Sequence, residues 1–231
     1  MSLIGEAPGA LPPSAGEVTR VVIVDDHPLV RDGLRMIIDA EPGMTVCADA
    51  ADAGQARRVI RQSNPHVAVI DLSLRGGGSG LDLVKWTALR HPQTRVVILS
   101  LHDEEIFGER ALRAGAAGYV CKSRPARTIL AAIRRVTMSE FYFSKELVQR
   151  VLRNAASGVH DELSAVDRLS DRELEVFRCI GEGLTTKEIA ATLHLSISTV
   201  DTYRDRLKVK LGARNGAQLA AAATRWTLEH S

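Results

Sequence analysis

Five short apolar runs divide the first half of the chain: Val21-Val22-Ile23-Val24, Met44-Thr45-Val46-Cys47-Ala48-Asp49, Val67-Ala68-Val69-Ile70, Val96-Val97-Ile98-Leu99 and Tyr119-Val120-Cys121. Apart from the second, each is β-branched and unalternated, as a parallel strand buried on both faces must be. Between and after them, residues 29–39, 53–63, 81–91, 104–114 and 125–138 carry apolar positions at helical spacing. Strict strand–helix alternation predicts right-handed crossovers and an α/β fold, a five-stranded doubly wound parallel sheet covered on both faces.

The texture then changes. Residues 141–152 predict one more helix with Ser144 as its cap, and residues 155–162 have no pattern and read as a linker. Ser170-Asp171-Arg172-Glu173 is a capping box, and the helix it opens carries Leu174, Val176, Phe177 and Ile180 before Gly181 or Gly183. A helix over 186–193 follows, then a tight turn at 194–196. Ser198 is expected to cap a helix with Val200, Tyr203, Leu207 and Leu211 on one face, stopped by Gly212. A last helix covers 217–226. Four short helices without a strand predict a small all-α module. The expected organisation is a disordered tail over 1–19, a first domain over 20–138, a linker with a short helix over 139–167 and a second domain over 168–231.

Composition narrows the class. The chain has 231 residues and a net charge of only +2. No stretch is long and apolar enough to span a bilayer, and the first nineteen residues lack the basic start and apolar core of a secretory signal. Cys47, Cys121 and Cys179 are scattered in no metal-ligand spacing, which suggests reduced thiols and a cytoplasmic protein. Charge is concentrated locally: Arg204, Arg206, Lys208, Lys210 and Arg214 are interrupted by one acid, Asp205. Such a segment suits phosphate contact.

Chemistry gathers at the ends of the strands. The runs lead into Asp25-Asp26, Asp71, Ser100 and Lys122, and in a doubly wound sheet ligands bind at the carboxyl ends of strands. Carboxylates ~4 Å apart repel by ~4 kcal/mol per pair at an effective dielectric of about 20. The cluster therefore calls for a cation, and an all-oxygen set favours Mg2+. Such an ion would neutralise an arriving phosphoryl group, with Asp71 as in-line nucleophile. Lys122 would pair with Asp71 and then with a phosphoryl oxygen, and Ser100 would donate to another. Singly, each residue reads as a cap, a turn or a solvated side chain; together, in this strand order, they read as a site.

Residues 20–138 resemble the receiver domain of two-component response regulators. The resemblance is carried by Val24-Asp25-Asp26-His27-Pro28, Val69-Ile70-Asp71-Leu72, Leu99-Ser100-Leu101-His102-Asp103-Glu104 and Ala114-Gly115-Ala116-Ala117-Gly118-Tyr119-Val120-Cys121-Lys122. It implies a flavodoxin-like receiver in which Asp71 takes phosphate from a sensor histidine kinase. Asp25, Asp26, Asp71 and the Ser73 carbonyl would bind Mg2+. Ser100 and Tyr119 would be the switch pair, the hydroxyl moving to the phosphoryl group and the ring following inward; the plainer alternative for Tyr119 is a static, half-buried core aromatic. Two departures stand out. Arg75 occupies the usual place of a proline and is followed by a longer loop, Gly76-Gly77-Gly78-Ser79-Gly80; Ser123 follows the lysine where an acid is common. The triple glycine follows the third strand and is no dinucleotide fingerprint.

Residues 169–226 resemble the LuxR-type helix-turn-helix that ends regulators of the NarL/FixJ class. Leu169-Ser-Asp-Arg-Glu-Leu-Glu-Val, Gly183-Leu-Thr-Thr-Lys-Glu-Ile-Ala, Leu195-Ser-Ile-Ser-Thr-Val-Asp-Thr-Tyr-Arg and Lys210-Leu211-Gly212 carry it. The helix after the tight turn would enter the major groove. Thr199, Thr202, Arg204 and Arg206 are candidates on its DNA-facing side; Lys187, Lys208 and Lys210 are candidates for phosphate. Asp201 stands where many relatives have lysine. Leu219, Ala220, Ala223 and Trp226 would form either a two-fold contact or part of their own domain's core.

The reading is a DNA-binding transcriptional response regulator switched at Asp71. Its partners would be a sensor histidine kinase, double-stranded promoter DNA and a second copy on DNA, with RNA polymerase a further candidate and no membrane. It would not be an enzyme beyond intrinsic aspartyl-phosphate formation and loss. One alternative keeps DNA binding but makes the receiver a phosphorylation-independent interaction platform. A remoter one is an aspartyl-phosphate phosphatase of the haloacid dehalogenase type, although adjacent Asp25-Asp26 lacks that class's Asp-x-Asp spacing.

Overall fold

The computed structural model describes residues 17–74, 80–101, 103–156, 165–166 and 168–229. The tail up to residue 16, the loop 75–79 and the linker 157–164 lie outside them. The chain divides into two compact units, Met1–Val151 and Leu152–Ser231.

The first unit alternates as its hydrophobic pattern demands: β1 (Thr19–Val24), α1 (Pro28–Asp39), β2 (Met44–Ala50), α2 (Ala53–Ser63), β3 (Val67–Ile70), α3 (Gly80–Arg90), β4 (Arg95–Ser100), α4 (Glu104–Arg113), β5 (Gly118–Cys121) and α5 (Arg127–Thr137). The five strands form one parallel sheet in the order β2-β1-β3-β4-β5. Every residue of β3 and β4 is buried, which is why these runs are apolar without alternation. Strand order reverses direction between β1 and β3, so the carboxyl ends of β1, β3, β4 and β5 surround one crevice.

Two features were not legible in the pattern. Gly80 was expected in a loop; it is the first residue of α3, and its N–H donates to the Leu72 carbonyl at 3.1 Å. A Cβ there would lie 2.4 Å from the Asp71 carbonyl oxygen, so the helix seats against the end of β3 only because residue 80 has no side chain. Past α5, Tyr142 pairs with the free edge of β5: its N–H donates to Ala117 O at 2.8 Å and its carbonyl accepts from Tyr119 N–H at 2.9 Å. Helix α6 (Lys145–Ala156) then begins where Ser144 was expected to cap it, the Ser144 hydroxyl accepting from Leu147 N–H.

The second unit is all-helical among its described residues: α7 (Asp171–Gly181), α8 (Thr186–Thr192), α9 (Ile197–Leu211) and α10 (Gly216–Glu229). The Ser170–Glu173 capping box opens α7, and a second box, Thr185–Glu188, opens α8. Ser196, not Ser198, caps α9: its hydroxyl accepts from Thr199 N–H at 3.1 Å. Ser198 lies inside the first turn, and its carbonyl accepts from the Thr202 hydroxyl at 2.9 Å. Gly212 ends α9 in the left-handed conformation, φ 67°. Val176, Phe177, Val200, Leu207, Leu219 and Ala223 form the core. The Phe177 and Trp226 rings meet at 5.8 Å. A Cβ on Gly181 would lie 2.6 Å from Ala223 O, so glycine permits the close approach of α7 and α10. The two readings of α10 are thereby resolved for Leu219 and Ala223, which are fully buried in their own domain and have no surface for a two-fold contact.

Candidate functional site

The carboxyl ends of β1, β3, β4 and β5 bring Asp25, Asp26, Asp71, Ser100 and Lys122 together. Main-chain bonds fix their positions: Asp71 N–H donates to Val24 O at 2.8 Å, Asp25 N–H to Ala50 O at 3.1 Å and Lys122 N–H to Ser100 O at 2.6 Å. The three aspartates and Ser100 are buried. Lys122 Nζ bridges Asp71 Oδ2 at 2.6 Å and Asp25 Oδ2 at 2.7 Å. The other Asp71 oxygen, Oδ1, accepts from Ser73 N–H at 3.1 Å, which sets the turn carrying the Ser73 carbonyl.

Electrostatics set these groups apart from ordinary surface charges. Burial pushes the Asp71 carboxyl above its usual value; Lys122 opposes that shift and the like charge of Asp25 adds to it. Burial also disfavours charge on Lys122, but Asp71 and Asp25 together outweigh it and hold the ammonium above its ordinary value. The site thus holds an excess of negative charge around one cation.

A single ligand atom from each of Asp25, Asp26, His27 and Asp71 lies within 4.8 Å of the others. Closely spaced carboxylate oxygens in a buried crevice fit a small hard divalent cation. Ser73 has its backbone at the same crevice edge. His27, which sequence reasoning quoted in a motif but gave no role, belongs to the cluster. The signal for it was an imidazole directly after two acids at a strand end. Arg31 was also missed: it donates to the Asp25 carbonyl oxygen at 2.7 Å and to Asp49 Oδ2 at 3.0 Å, tying α1 to the ends of β1 and β2.

Tyr119 lies inward, only 4 % exposed, with its phenol hydrogen-bonded to the Ser100 side chain. Burial holds that phenol far above its ordinary pKa, the Ser100 bond opposing the shift only in part. The ring is therefore fully buried rather than half-buried, and it is coupled to the hydroxyl expected to meet a phosphoryl group.

On α9, Thr202 and Arg206 are exposed and Thr199 is half-buried beside the cap; Lys187 is exposed on α8. The Arg206 guanidinium lies over the Tyr203 ring at 5.9 Å from the centroid, within reach of a cation–π contact. Arg204 is half-buried, with its guanidinium beside Gly216 at the start of α10. Two expected phosphate ligands are engaged inside the domain. Lys208 Nζ pairs with Asp205 at 2.8 Å, and Lys210 Nζ with the buried Glu173 at 2.7 Å. The Lys210 bond has a structural cause: Glu173 closes the α7 capping box, and its carboxylate lies within reach of the half-exposed Lys210 ammonium.

No helix of the described residues is long and apolar enough to cross a membrane. Comparison with known proteins covers both units. The profile of the response regulator receiver domain matches residues 21–134, and that of the bacterial regulatory proteins of the luxR family matches residues 167–223. The oxygen regulatory protein NreC of Staphylococcus haemolyticus is 34% identical over 208 residues, 88% of this chain and 96% of that protein. Its namesake in Staphylococcus aureus strain JH9 is 35% identical over the same shares. Among solved structures, RcsB from Salmonella enterica serovar Typhimurium, bound to promoter rprA in the presence of phosphomimetic BeF3-, is 26% identical with a TM-score of 0.57. It covers 90% of this chain and 99% of its own. A LuxR-family two-component response regulator from Aurantimonas sp. SI85-9A1 is 34% identical with a TM-score of 0.54, covering 61% of this chain and 99% of its own.

Proposed function

The chain belongs to the two-component response regulators that join a receiver domain to a LuxR-family DNA-binding domain, and on that premise we propose that Asp71 is the phosphoacceptor of a switch controlling promoter binding. The observation that carries this reading is the buried Asp71 carboxylate held 2.6 Å from Lys122 and close to two further acids. The domains would be the receiver over 20–138, a connector over 139–167 and the DNA-binding domain over 168–231.

In the proposed reaction an Asp71 carboxylate oxygen attacks the phosphorus of a phosphohistidine on a sensor kinase. The O–P bond forms as the P–N bond breaks, and the imidazole nitrogen takes the leaving electron pair. Lys122 keeps negative charge on the attacking group and then pairs with a phosphoryl oxygen. Mg2+, when held by Asp25, Asp26, Asp71 and the Ser73 carbonyl, would neutralise charge on the transferring group. The Ser100 hydroxyl donates to another phosphoryl oxygen. Because Tyr119 is bonded to Ser100, displacement of one is felt by the other, and the ring transmits the change to the surface around α4 and β5. Moving a population from 1:99 to 99:1 takes about 5.5 kcal/mol of differential stabilisation; phosphoryl contacts and self-association on DNA would supply it together.

For DNA, the exposed Arg206, Thr202 and Lys187, with Thr199, are the proposed contacts. Arg204 and Lys208 flank them, and Lys210 acts by holding Glu173. The promoter-bound state of RcsB with a phosphomimetic supports double-stranded promoter DNA as the ligand here. The described cysteines are free, in keeping with a cytoplasmic regulator. The test is incubation of the full chain with Mg2+ and a small-molecule phosphodonor, followed by borohydride trapping and peptide mass analysis. An acyl phosphate at Asp71, absent from Asp71→Asn, is expected; an unmodified wild type would return the receiver to an interaction platform.

A further inference from the structure

One oxygen of each of Asp25 and Asp26 faces His27. Asp25 Oδ2 is bound to Lys122 at 2.7 Å, whereas Asp25 Oδ1 and Asp26 Oδ1 lie 3.2 and 3.0 Å from His27 Nδ1. The His27 backbone N–H donates to Asp25 Oδ1 at 2.8 Å, so the main chain of His27 is fixed to the same carboxylate. With Asp71, these atoms lie within 4.8 Å of one another, close enough to share one ion. The donor set is therefore three carboxylates and one imidazole.

We propose that His27 Nδ1 is a metal-ligating atom of this pocket and biases it toward divalent first-row transition ions relative to Mg2+. The proposal rests on reading the acid cluster as a cation site. Oxygen donors serve Mg2+ and Mn2+ alike, but an imidazole nitrogen adds binding for transition ions and little for Mg2+. The His27 side chain is 44% exposed, so a neutral ring can carry its proton on Nε2 toward solvent and turn the Nδ1 lone pair to the ion. A purely positional role, with Nδ1–H shared between two carboxylates, would instead support every divalent ion equally.

The full chain, wild type and His27→Gln, is titrated calorimetrically with Mg2+ and with Co2+; the Mn2+ complexes are then examined by pulsed electron paramagnetic resonance for 14N modulation. The substitution is expected to weaken Co2+ at least ~10-fold and Mg2+ by much less, and to remove an imidazole 14N signal present in the wild type. Retained Mg2+ binding also certifies that the variant is folded. Equal weakening for both ions, or a wild-type Mn2+ complex without imidazole modulation, overturns the role of His27. Failure of all three ions to bind the wild type overturns the cation site itself, and the proposal with it.

Discussion

Each unit holds a buried carboxylate against a lysine, Asp71 with Lys122 and Glu173 with Lys210, and the two pairs behave oppositely. In the DNA-binding unit, burial alone would raise the Glu173 carboxyl, but Lys210 and the Ser170 backbone and hydroxyl overcome it and hold the group below its usual value. In the receiver, Asp71 has a lysine at a similar distance, 2.6 Å against 2.7 Å, yet its carboxyl is held above the usual value by burial and by Asp25. The lysine is the common element; the company differs. Glu173 accepts from a helix cap that wants an anion, whereas Asp71 shares its cation with another acid. One arrangement is a staple, and the other stores a demand for positive charge that a metal ion and a phosphoryl transfer would meet.

The most severe test of that contrast is Lys122→Met. Removing the lysine that pairs with Asp25 and Asp71 should destabilise the receiver by about 3–5 kcal/mol without divalent cation, the cost of breaking a buried pair, with Mg2+ restoring part of it. Trp86 and Trp226, one in each unit, let the two unfolding transitions be followed separately in denaturant. Insensitivity of the Trp86 transition would mean that the acids are not in tension.

Glu173→Ala should cost the DNA-binding unit about 2 kcal/mol through loss of the cap and the Lys210 bond. Because the folded Glu173 carboxyl lies below 4.5, its contribution is present above pH 4.5 and fades as pH falls through the folded value. The variant's Trp226 transition should lose that acid dependence.

Asp71→Asn should move the receiver the other way, stabilising it by about 1 kcal/mol at neutral pH. Lys122 keeps Asp25 at 2.7 Å when Asp71 is neutralised. The sign follows from the raised carboxyl: its contribution is greatest below pH 3.8 and is lost as pH rises through the folded value, so ionised Asp71 costs stability near neutrality. A destabilised variant in thermal melts would contradict it. Lys210→Met is the smallest effect, below about 1 kcal/mol, since this pair is partly solvated. It should leave DNA affinity nearly unchanged if Lys210 serves Glu173 rather than phosphate, which fluorescence anisotropy on duplex DNA would measure.

The sheet was readable because β1, β3 and β4 are buried on both faces, and the acids stood out because they end those runs. What escaped depends on distance through space. Ser196, Ser198 and Thr199 all offer hydroxyls near one helix start, and local pattern does not choose between them. Glu173 and Lys210 lie 37 residues apart, so nothing local shows that a lysine that reads as a phosphate ligand also pairs with the carboxylate of a helix cap. Gly80 looked like loop because the contact it allows is with a strand end, not with its neighbours. Leu219 and Ala223 had the spacing of a face without saying which surface covers it.

The central claim is that Asp71 is a working switch for DNA binding. It is tested most directly by measuring solution mass and duplex-DNA affinity of the full chain with Mg2+, before and after beryllofluoride, for wild type and Asp71→Asn. The account predicts a change in mass or affinity in the wild type that vanishes in the variant. DNA binding that is the same in all four samples, with no change in mass, would contradict it.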